Sequence, residues 1–485
     1  MPARSGNVTK DLFLEALECR TRGWFLRHAE SEPPGIGNRL RMMEGQEIHR
    51  RARGLYARGI YAGDVAKTQS LLGRGTVSVI FEAAFEVDRF AARADVILKV
   101  KGGVHLVEVK SSLHDDGGVK DAHIDDLAYT VMVLRKAGLP VARAELLLLS
   151  RNWRLGMPDS KLFIRSDHTK AVIARARGFE KLSSSVSKAL LSRRSPAATL
   201  ILGCKRCEYF ESECLGKGLD DPIFDLPRLS PSKFQALKQE AILTVRGIPH
   251  DFPLTPNQAR VRQAVVARKP SRDRAALCKL LADVKWPAVY LDFETLMTAL
   301  PLWPGVVPHE QIVTQYSIHV CERLGRILHH REYLADARGD RRRDLAERLV
   351  ADTAGKGSIV VYHAGFEKSV IGGLAERFPD LRKALVGLLG RVFDLERVFT
   401  SAYYHPGFRG SSSIKAVLPV VIPSMGYDGL EVGDGGEAIA AFAKMASDAC
   451  QSKERERLRK ALRAYCHQDT LAMVKLHSAM AKMAG

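Results

Sequence analysis

The clearest residues for chemistry are two acids within one short apolar segment, Val289-Tyr-Leu-Asp292-Phe-Glu294. The apolar residues predict a buried strand, and because side chains alternate along a strand, Asp292 and Glu294 face the same side. Two acids on one face of a buried strand are costly unless they bind a cation such as Mg²⁺. An edge strand that leaves both acids in solvent is the alternative reading.

Two later segments carry polar residues that could join this pair. Residues 358–363 predict another strand, and Glu367 follows it at the start of a helix. Tyr465 and Asp469 lie four residues apart in a segment that predicts a helix, so their side chains share one face. With the first pair these make four carboxylates, a set that suits two Mg²⁺ or Mn²⁺ ions.

A second constellation lies upstream, where Asp95 and Glu108 flank a predicted hairpin turn at Gly102-Gly103. This turn would place Asp95 opposite Lys110, so that Asp95, Glu108 and Lys110 project from one face. The two carboxylates could hold Mg²⁺, and Lys110 could orient water or stabilise charge on a phosphate. A surface hairpin with an ordinary salt bridge is the other interpretation.

Four of the eight cysteines form a third candidate group, with Cys19 far upstream of the run Cys204, Cys207 and Cys214. Four thiolates suit an iron–sulfur cluster or a structural zinc ion, and a buried Cys19 without any metal is also compatible. The remaining four are predicted to be buried free thiols: Cys278, Cys321, Cys450 and Cys466.

The chain has 485 residues, which is too many for one hydrophobic core. The helices and strands that position these residues must therefore form more than one domain. The net charge of +19 favours a polyanionic partner, most simply nucleic acid. No apolar run approaches the ~20 residues that span a bilayer, and residues 1–7 lack an apolar signal core. The sequence therefore predicts a cytoplasmic protein without a membrane segment.

Composition and pattern divide the chain into three parts. Residues 1–225 contain the first constellation and close with the cysteine run, and residues 226–285 are proline-punctuated helical pieces that predict a connector. Residues 286–485 begin with the Asp292 strand and end with a long charged helix. No phosphate-binding loop of the G-x-x-x-x-G-K-[ST] type is present, which argues against a built-in ATP-driven helicase.

The motif Asp95…Glu108-Val-Lys110 resembles the PD-(D/E)xK nucleases, specifically their RecB-like branch. Gly45-Gln-Glu-Ile-His49 resembles the G-x-x-x-H helix of that branch, whose His is a metal ligand, although a helical His is more often structural. Where the branch carries a Gln-containing motif, this chain has Tyr129-Thr130 instead.

The cysteine spacing resembles the AddB nuclease domain and RecB-like CRISPR-associated exonucleases. In those families one N-terminal and three C-terminal cysteines hold a [4Fe–4S] cluster. The resemblance implies the same cluster on Cys19, Cys204, Cys207 and Cys214, with zinc as the alternative. Its role would be structural, because it would tie the first helix to the end of the domain.

The third segment resembles the DEDD exonucleases of the RNase H-like fold in their tyrosine variant. The resemblance implies metal ligands at the four acids of the segment and a catalytic Tyr465 that positions the nucleophile. Glu367 stands where the family has Asp. Lys415, after a serine run, would contact a phosphate, although a flexible loop also explains that run.

The joined arrangement resembles a bacterial two-domain family of unknown function. It implies an α/β protein: a RecB-like PD-(D/E)xK nuclease domain, a helical connector and an RNase H-like domain with a mixed sheet. The expected activity is metal-dependent cleavage of DNA, more than RNA, as a 3′–5′ exonuclease. The alternative is a nucleic-acid-binding or scaffold protein in which one or both sites are inactive.

Overall fold

The computed structural model describes residues 6–29, 33–115 and 117–485. It is a mixed α/β protein with mixed sheets, which confirms the fold class at this level. The chain divides into two compact units, Met1–Leu215 with Thr298–Glu310, and Gly216–Met297 with Gln311–Gly485. The whole of the expected connector, residues 226–285, groups with the second unit. The identification of the units as nuclease domains stays a prediction. The expectation drawn from residues 1–7 rests largely on residues 1–5, which lie outside the described part.

The first unit surrounds one six-stranded sheet with order β1-β2-β3-β4-β5-β6. Its helices are α1 (Lys10–Glu18), α2 (Arg20–His28), α3 (Ile36–Arg53), α4 (Val65–Gly73), α5 (Asp121–Lys136) and α6 (Thr169–Leu190). Its strands are β1 (Ile60–Tyr61), β2 (Val79–Val87), β3 (Phe90–Val100), β4 (Gly103–Leu113), β5 (Val141–Leu149) and β6 (Phe163–Asp167). Short 3₁₀ turns follow at Asp159–Lys161 and Leu202–Arg206.

Both faces of this sheet are apolar. Strands β2, β3 and β4 are antiparallel neighbours, whereas β4 and β5 are parallel and are therefore joined by a crossover through α5. On one face Leu127 and Val131 of α5 join a large core with α1 and α6. On the other face Ile48 and Ala52 of α3 pack in a second core with Val107. These two layers hold the strands β3 and β4, which carry the first constellation.

The turn between β3 and β4 is not the one predicted. Val100 pairs with Gly103, so the two turn residues are Lys101 and Gly102, and Gly102 takes the positive φ of +82°. Gly103 instead lies against the neighbouring strand, where an added Cβ would meet the carbonyl oxygen of Pro140 at 2.4 Å. The predicted turn was therefore wrong by one residue and the predicted pairing by two, because the observed register continues to Asp95 opposite Glu108 and not opposite Lys110.

The second unit contains a five-stranded sheet with order β10-β9-β8-β11-β12 and a two-stranded sheet of β7 and β13. Its helices are α7 (Pro231–Gln239), α8 (Pro256–Ala267), α9 (Arg274–Ala282), α10 (Arg342–Asp352), α11 (Ala364–Arg377), α12 (Arg382–Leu389), α13 (Glu396–Ser401), α14 (Ile414–Val421), α15 (Gly435–Ala446) and α16 (Ser452–Ala484). Its strands are β7 (Ser271–Arg272), β8 (Ala288–Leu296), β9 (Ile312–Arg323), β10 (Arg326–Leu334), β11 (Ile359–Val361), β12 (Val392–Asp394) and β13 (Tyr403–Tyr404). Short 3₁₀ turns lie at Ile223–Asp225 and Pro406–Phe408.

The larger sheet of this unit is mixed. Strand β8 pairs antiparallel with β9 and parallel with β11, and β9 pairs antiparallel with β10. Leu291 and Phe293 of β8 face a core that also contains Ile371 of α11 and Leu345 of α10. The opposite face of the sheet lies against the long helix α16. Among the described residues, no helix is both long and apolar enough to cross a membrane.

Candidate active sites

Three acids of the second unit lie together between β8 and α16. One carboxylate oxygen from each of Asp292, Glu294 and Asp469 lies within 4.8 Å of the others. Strand alternation explains this arrangement, because Leu291 and Phe293 point into the apolar core and the two acids between and after them point toward α16. Asp469 is buried, whereas Asp292 and Glu294 are half-buried, so the group stays open on one side.

The enclosure of these acids changes their titration. Burial raises the pKa of Asp292 well above its usual value, and the nearby Asp469 and Glu294 raise it further. Burial and Asp469 likewise raise the pKa of Glu294, although Lys415 lowers it in part. Like charges that are held together in a poorly solvated place disfavour ionisation, and a divalent cation would relieve that repulsion.

Two tyrosines and one lysine surround the acids. The hydroxyl of Tyr427 donates a short hydrogen bond to Asp469, and the ring of Tyr465 lies 6.1 Å from that of Tyr427 between centroids. The Lys415 ammonium lies 5.3 and 5.4 Å from the centres of these two rings and donates to the carbonyl oxygen of Gly433 at 2.6 Å. The structure thus brings Tyr465 and Lys415 to the acids, together with Tyr427, which sequence reasoning missed.

Glu367 lies near this group but outside the 4.8 Å set. It is buried at the start of α11, its charge contributes to the raised pKa of Asp292, and its Oε2 atom has no hydrogen-bond partner among the described residues. Burial raises the pKa of Glu367 to about 8, with a contribution from Asp394. Asp394 itself accepts hydrogen bonds from the backbone N–H groups of His363 and Ala364, so it caps α11.

The first unit brings a second group of charged residues together near the middle of β3 and β4, where the pairing of these two strands ends. Asp95 accepts a hydrogen bond from the backbone N–H of Val109 at 2.7 Å, beyond the last paired residues of these strands. Glu108 contacts the ammonium groups of Lys10 at 2.9 Å and Lys110 at 3.1 Å. The Glu108 Oε2 atom is buried without a hydrogen-bond partner among the described residues.

His49 and Glu82 complete this group. One ligand atom from each of His49, Glu82 and Asp95 lies within 4.8 Å of the others. Glu82 was not predicted; it stands between Phe81 and Ala83, whose pairing across β3 sets Glu82 opposite Asp95. The sequence contained a signal, because Glu82 is an acid inside the apolar segment of β2.

The pKa values of Glu108 and Asp95 are shifted in opposite directions. Although burial opposes the shift, Lys110 and Lys10 hold the pKa of Glu108 well below its usual value. Burial and the charge of Glu108 raise the pKa of Asp95. Burial alone would lower the pKa of His49, but Glu82 and Asp95 raise it. Lysine cations thus compensate one acid, and the histidine faces the other two.

The residues at the position of the family glutamine do not reach this group. Tyr129 is buried and donates to the backbone carbonyl oxygens of Val8 at 2.6 Å and Ala91 at 3.0 Å. Thr130 is buried and donates to the carbonyl oxygen of Asp126 in its own helix at 3.2 Å. Both side chains therefore stabilise the packing of α5, whereas Asp126 makes a short hydrogen bond with Lys110.

In the third candidate group, Cys204 lies near the other three cysteines. Cys19 separates α1 from α2, and its sulfur accepts from the backbone N–H of Arg22 at 3.4 Å. Burial raises the pKa of the Cys204 thiol, and Cys19, Cys207 and Cys214 contribute in the same direction.

The cysteines outside this group are also free thiols. Cys321, Cys450 and Cys466 are buried, as predicted. Cys278 is exposed, so the prediction of a buried thiol was wrong there. It lies on α9, a helix with Leu277 buried and most other positions open to solvent.

Comparison with known sequences adds a family label to part of the second unit. Residues 289–413 match the domain of unknown function DUF2779. The DUF2779 region contains Asp292, Glu294 and Glu367, and it ends before Tyr465 and Asp469. A curated relative, the uncharacterized protein MG366 of Mycoplasma genitalium, is 25% identical over 211 residues, which are 40% of this chain. The chain spans about a third (32%) of the length of that relative.

Two solved structures share a distant likeness with this chain. An alkaline exonuclease, LHK-Exo from Laribacter hongkongensis, is 14% identical, and the alignment covers 39% of this chain and 91% of that chain with a TM-score of 0.24. The protein SSO0001 is also 14% identical, with 41% and 93% covered and a TM-score of 0.17. At these scores the likeness carries no argument about the DUF2779 region or the first unit.

Proposed function

We propose that the protein is a metal-dependent nuclease that hydrolyses the phosphodiester backbone of nucleic acid, DNA in the first instance. The observation that carries the proposal is the group of Asp292, Glu294 and Asp469, whose ligand atoms lie within 4.8 Å of one another. Oxygen ligands from carboxylates are the ligands of hard ions such as Mg²⁺ and Mn²⁺. The Glu367 Oε2 atom, which has no hydrogen-bond partner in the described part of the chain, is a further oxygen in this neighbourhood that would gain from a cation.

The residues around the acids support a cleavage site. When bound, divalent ions would activate water and stabilise the leaving oxygen of a phosphodiester. Lys415 supplies a cation for a phosphate oxygen, and the Tyr465 hydroxyl can position the nucleophile. Tyr427 holds the Asp469 carboxylate in place. The 3′–5′ polarity and the RNase H-like assignment follow from the resemblance to DEDD exonucleases.

The first unit is proposed as a second metal site of the RecB-like type. His49, Glu82 and Asp95 offer ligand atoms within 4.8 Å of one another, and Glu108 has an oxygen without a hydrogen-bond partner in the part of the chain that the structure describes. Lys110 is the candidate catalytic cation, and its pKa is raised by Glu108 and Asp126 against the effect of burial. Because Lys10 also binds Glu108, this group carries more compensating charge than the group around Asp292.

A basic groove in the second unit supports a nucleic-acid partner. It has a volume of about 1320 Å³ and lies at α8, β7 and α9. Its cationic lining residues are Arg260, Arg262, Lys269, Arg272 and Arg274. Such a row of cations suits backbone phosphates and agrees with the net charge of +19.

The cysteine group is proposed to hold a [4Fe–4S] cluster, with zinc as the alternative. Among the described residues, the sets of ligand atoms within 4.8 Å of one another contain no cysteine. Four sulfurs around one zinc ion at about 2.3 Å would lie about 3.8 Å apart. A cluster with several iron ions spreads its thiolates further, which favours iron–sulfur.

The test of the nuclease proposal is a cleavage assay on end-labelled single- and double-stranded DNA and RNA with Mg²⁺, Mn²⁺ or a chelator. Metal-dependent release of nucleotides is expected, and Asp292→Asn should abolish most of it. The fraction of cleavage that is lost in Glu108→Gln measures the contribution of the first unit. Glu456→Gln, an exposed acid on the same helix as Asp469, is the matched control. Intact substrates under all metal conditions would overturn the enzyme assignment.

A binding role without cleavage is the second candidate, and the compensated Glu108 is the observation that favours it for the first unit. Lys10 and Lys110 both form ion pairs with Glu108, so these two cations balance its negative charge without an added metal ion. In that case Glu108→Gln would leave cleavage unchanged and alter only DNA affinity, measured by filter binding in the presence of a chelator.

A further inference from the structure

Three histidines form a cluster in the second unit that the proposed nuclease site does not use. One ring nitrogen from each of His319, His330 and His467 lies within 4.8 Å of the others. The ring centroids lie 4.5 to 4.8 Å apart for all three pairs. Among the described residues, this set of ligand atoms contains imidazoles alone.

The fold explains why these rings meet. His319 on β9 pairs directly with His330 on β10, so both project from one face of the sheet. That face is the one that carries Asp292, because Asp292 pairs with Ser317 and side chains alternate along β9. His467 lies on α16, which packs over this face.

Two hydroxyl groups on the buried side of the cluster form hydrogen bonds with two of the rings. His330 Nε2 lies 2.9 Å from Ser317 Oγ, and His319 Nδ1 lies 2.8 Å from Thr470 Oγ1. The two hydroxyls lie 2.8 Å apart, and Thr470 also reaches the backbone carbonyl oxygen of His467 at 3.1 Å. This network is on the buried side of the cluster, because Ser317 and Thr470 are fully buried.

One assignment of the hydrogens satisfies the whole network. Thr470 donates to the carbonyl oxygen and accepts from Ser317 and from His319 Nδ1, and Ser317 accepts from His330 Nε2. Each of these two rings then carries its proton on the hydroxyl side, so His319 Nε2 and His330 Nδ1 keep a lone pair. Hydrogen bonds that fix the tautomer of a histidine in this way are typical of metal-ligating histidines.

We propose that His319, His330 and His467 bind one divalent transition-metal ion of the zinc class. Three neutral imidazoles suit Zn²⁺, Co²⁺ or Cu²⁺ and are poor ligands for Mg²⁺, so this ion differs in kind from those proposed at the carboxylates. Three nitrogens leave a fourth position for water or another oxygen ligand.

The cluster needs only a small contraction to bind such an ion. Nitrogens at about 2.0–2.1 Å from one tetrahedral ion lie about 3.4 Å apart, compared with at most 4.8 Å here. His467 is half-buried, so its ring has room to turn toward the other two, which Thr470 and Ser317 hold. The half-exposed side also gives the ion a path from solvent.

The test uses the full chain after removal of metal, titrated with Co²⁺ by calorimetry and visible absorption. His330→Asn is expected to weaken one Co²⁺ site at least 100-fold. His329→Asn is the matched control, because it removes an exposed imidazole from the neighbouring position on the same strand. Ser317→Ala, which removes the hydroxyl that bonds to His330 and to Thr470 but keeps all three imidazoles, should weaken the same site about tenfold. Equal affinities in the His330 and His329 variants would overturn the proposal.

A measurement on the unaltered protein guards against variants that fail to fold. Cu²⁺ binds such a site most tightly of the first-row divalent ions, so one equivalent should occupy it. Pulsed electron paramagnetic resonance then counts the coordinated imidazoles. More than one coordinated imidazole is expected, because His49 could supply only one at the other group. A count of one or none contradicts the three-histidine site.

Discussion

The hydroxyl of Tyr427 donates a hydrogen bond to the carboxylate of Asp469, although the two residues lie 42 positions apart. Tyr427 comes from the segment between α14 and α15, and Asp469 lies near the middle of α16. The hydrogen bond lowers the pKa of Asp469, which burial raises. Tyr427 therefore favours the charged form of the acid, which is the form that binds a cation.

Tyr427→Phe should raise the Mg²⁺ concentration required for half-maximal cleavage by about tenfold. The physical reason is that a hydrogen bond to a charged group contributes about 1.5–3 kcal/mol, and its loss leaves Asp469 harder to ionise. The measurement is the Mg²⁺ dependence of nucleotide release from single-stranded DNA. Tyr61→Phe, at an exposed tyrosine of the first unit, is the control. An unchanged Mg²⁺ requirement in Tyr427→Phe would show that the hydroxyl is irrelevant to the site.

Asp292→Asn should stabilise the protein in a chelator at pH 8, although it abolishes cleavage. Burial and the neighbouring acids raise the pKa of Asp292, so its charged form is unfavourable in the folded state. Removing that charge should therefore raise the free energy of unfolding. Urea denaturation measures it, with exposed Asp283→Asn as the control. Added Mg²⁺ should stabilise the unaltered protein and have no such effect on Asp292→Asn.

Because the pKa of Glu367 is raised, the free energy of unfolding of the metal-free protein should fall as the pH rises. Its pKa is raised to about 8 in the folded state, so the folded protein binds a proton more tightly than the unfolded chain. This stabilisation of the folded state is fully present below the pKa of about 4.5 that Glu367 has in the unfolded chain. Above that pH the free energy of unfolding falls by about 1.4 kcal/mol per pH unit, until the contribution is lost as the pH passes about 8.

Glu367→Gln should flatten this slope between pH 5 and about 8, because glutamine does not titrate. Urea denaturation at several pH values in a chelator provides the measurement. Glu376→Gln, an exposed acid on the same helix, should keep the slope of the unaltered protein. Identical slopes in the two variants would rule out Glu367 as the source.

Local sequence pattern predicted most elements that carry the candidate sites. The strand predicted around Asp292 and Glu294 is β8, and the helix predicted to carry Tyr465 and Asp469 is α16. Apolar runs and helical spacing are local signals, so they survive without knowledge of the partner elements. The prediction of the turn between β3 and β4 was wrong because Gly103 is required where the strand lies against Pro140, and only the folded sheet shows this contact.

The same limit applies to the site residues. Acids within apolar strands are visible in the sequence, which is why Asp292 and Asp95 could be singled out. Tyr427 could not, because it lies in an irregular segment, and its contact with Asp469 depends on how that segment folds over α16. The three histidines come from two strands and a helix, and only the pairing of β9 with β10 brings two of them together.

The basic groove predicts a salt-sensitive contact with DNA. Lys269 and Arg272 are exposed and line the groove, so replacing both with Ala should weaken single-stranded DNA binding and lower the slope of log affinity against log salt by about one per residue. Fluorescence anisotropy at several salt concentrations measures both quantities. Lys356→Ala with Lys383→Ala, exposed cations outside the groove, should leave the slope unchanged. Equal slopes in both pairs would contradict a role of the groove.

The cysteine group predicts the colour and metal content of the purified protein. Protein prepared without oxygen should be brown and contain iron, because four thiolates around Cys204 suit a [4Fe–4S] cluster. Cys207→Ser should lose the iron and lower the thermal stability, since the cluster would join the turn after α1 to the end of the unit. Cys278→Ser, at an exposed thiol, should retain the iron. Colourless protein with stoichiometric zinc would replace the cluster by a zinc ion on the same four cysteines, whereas metal-free protein of unchanged stability would exclude both.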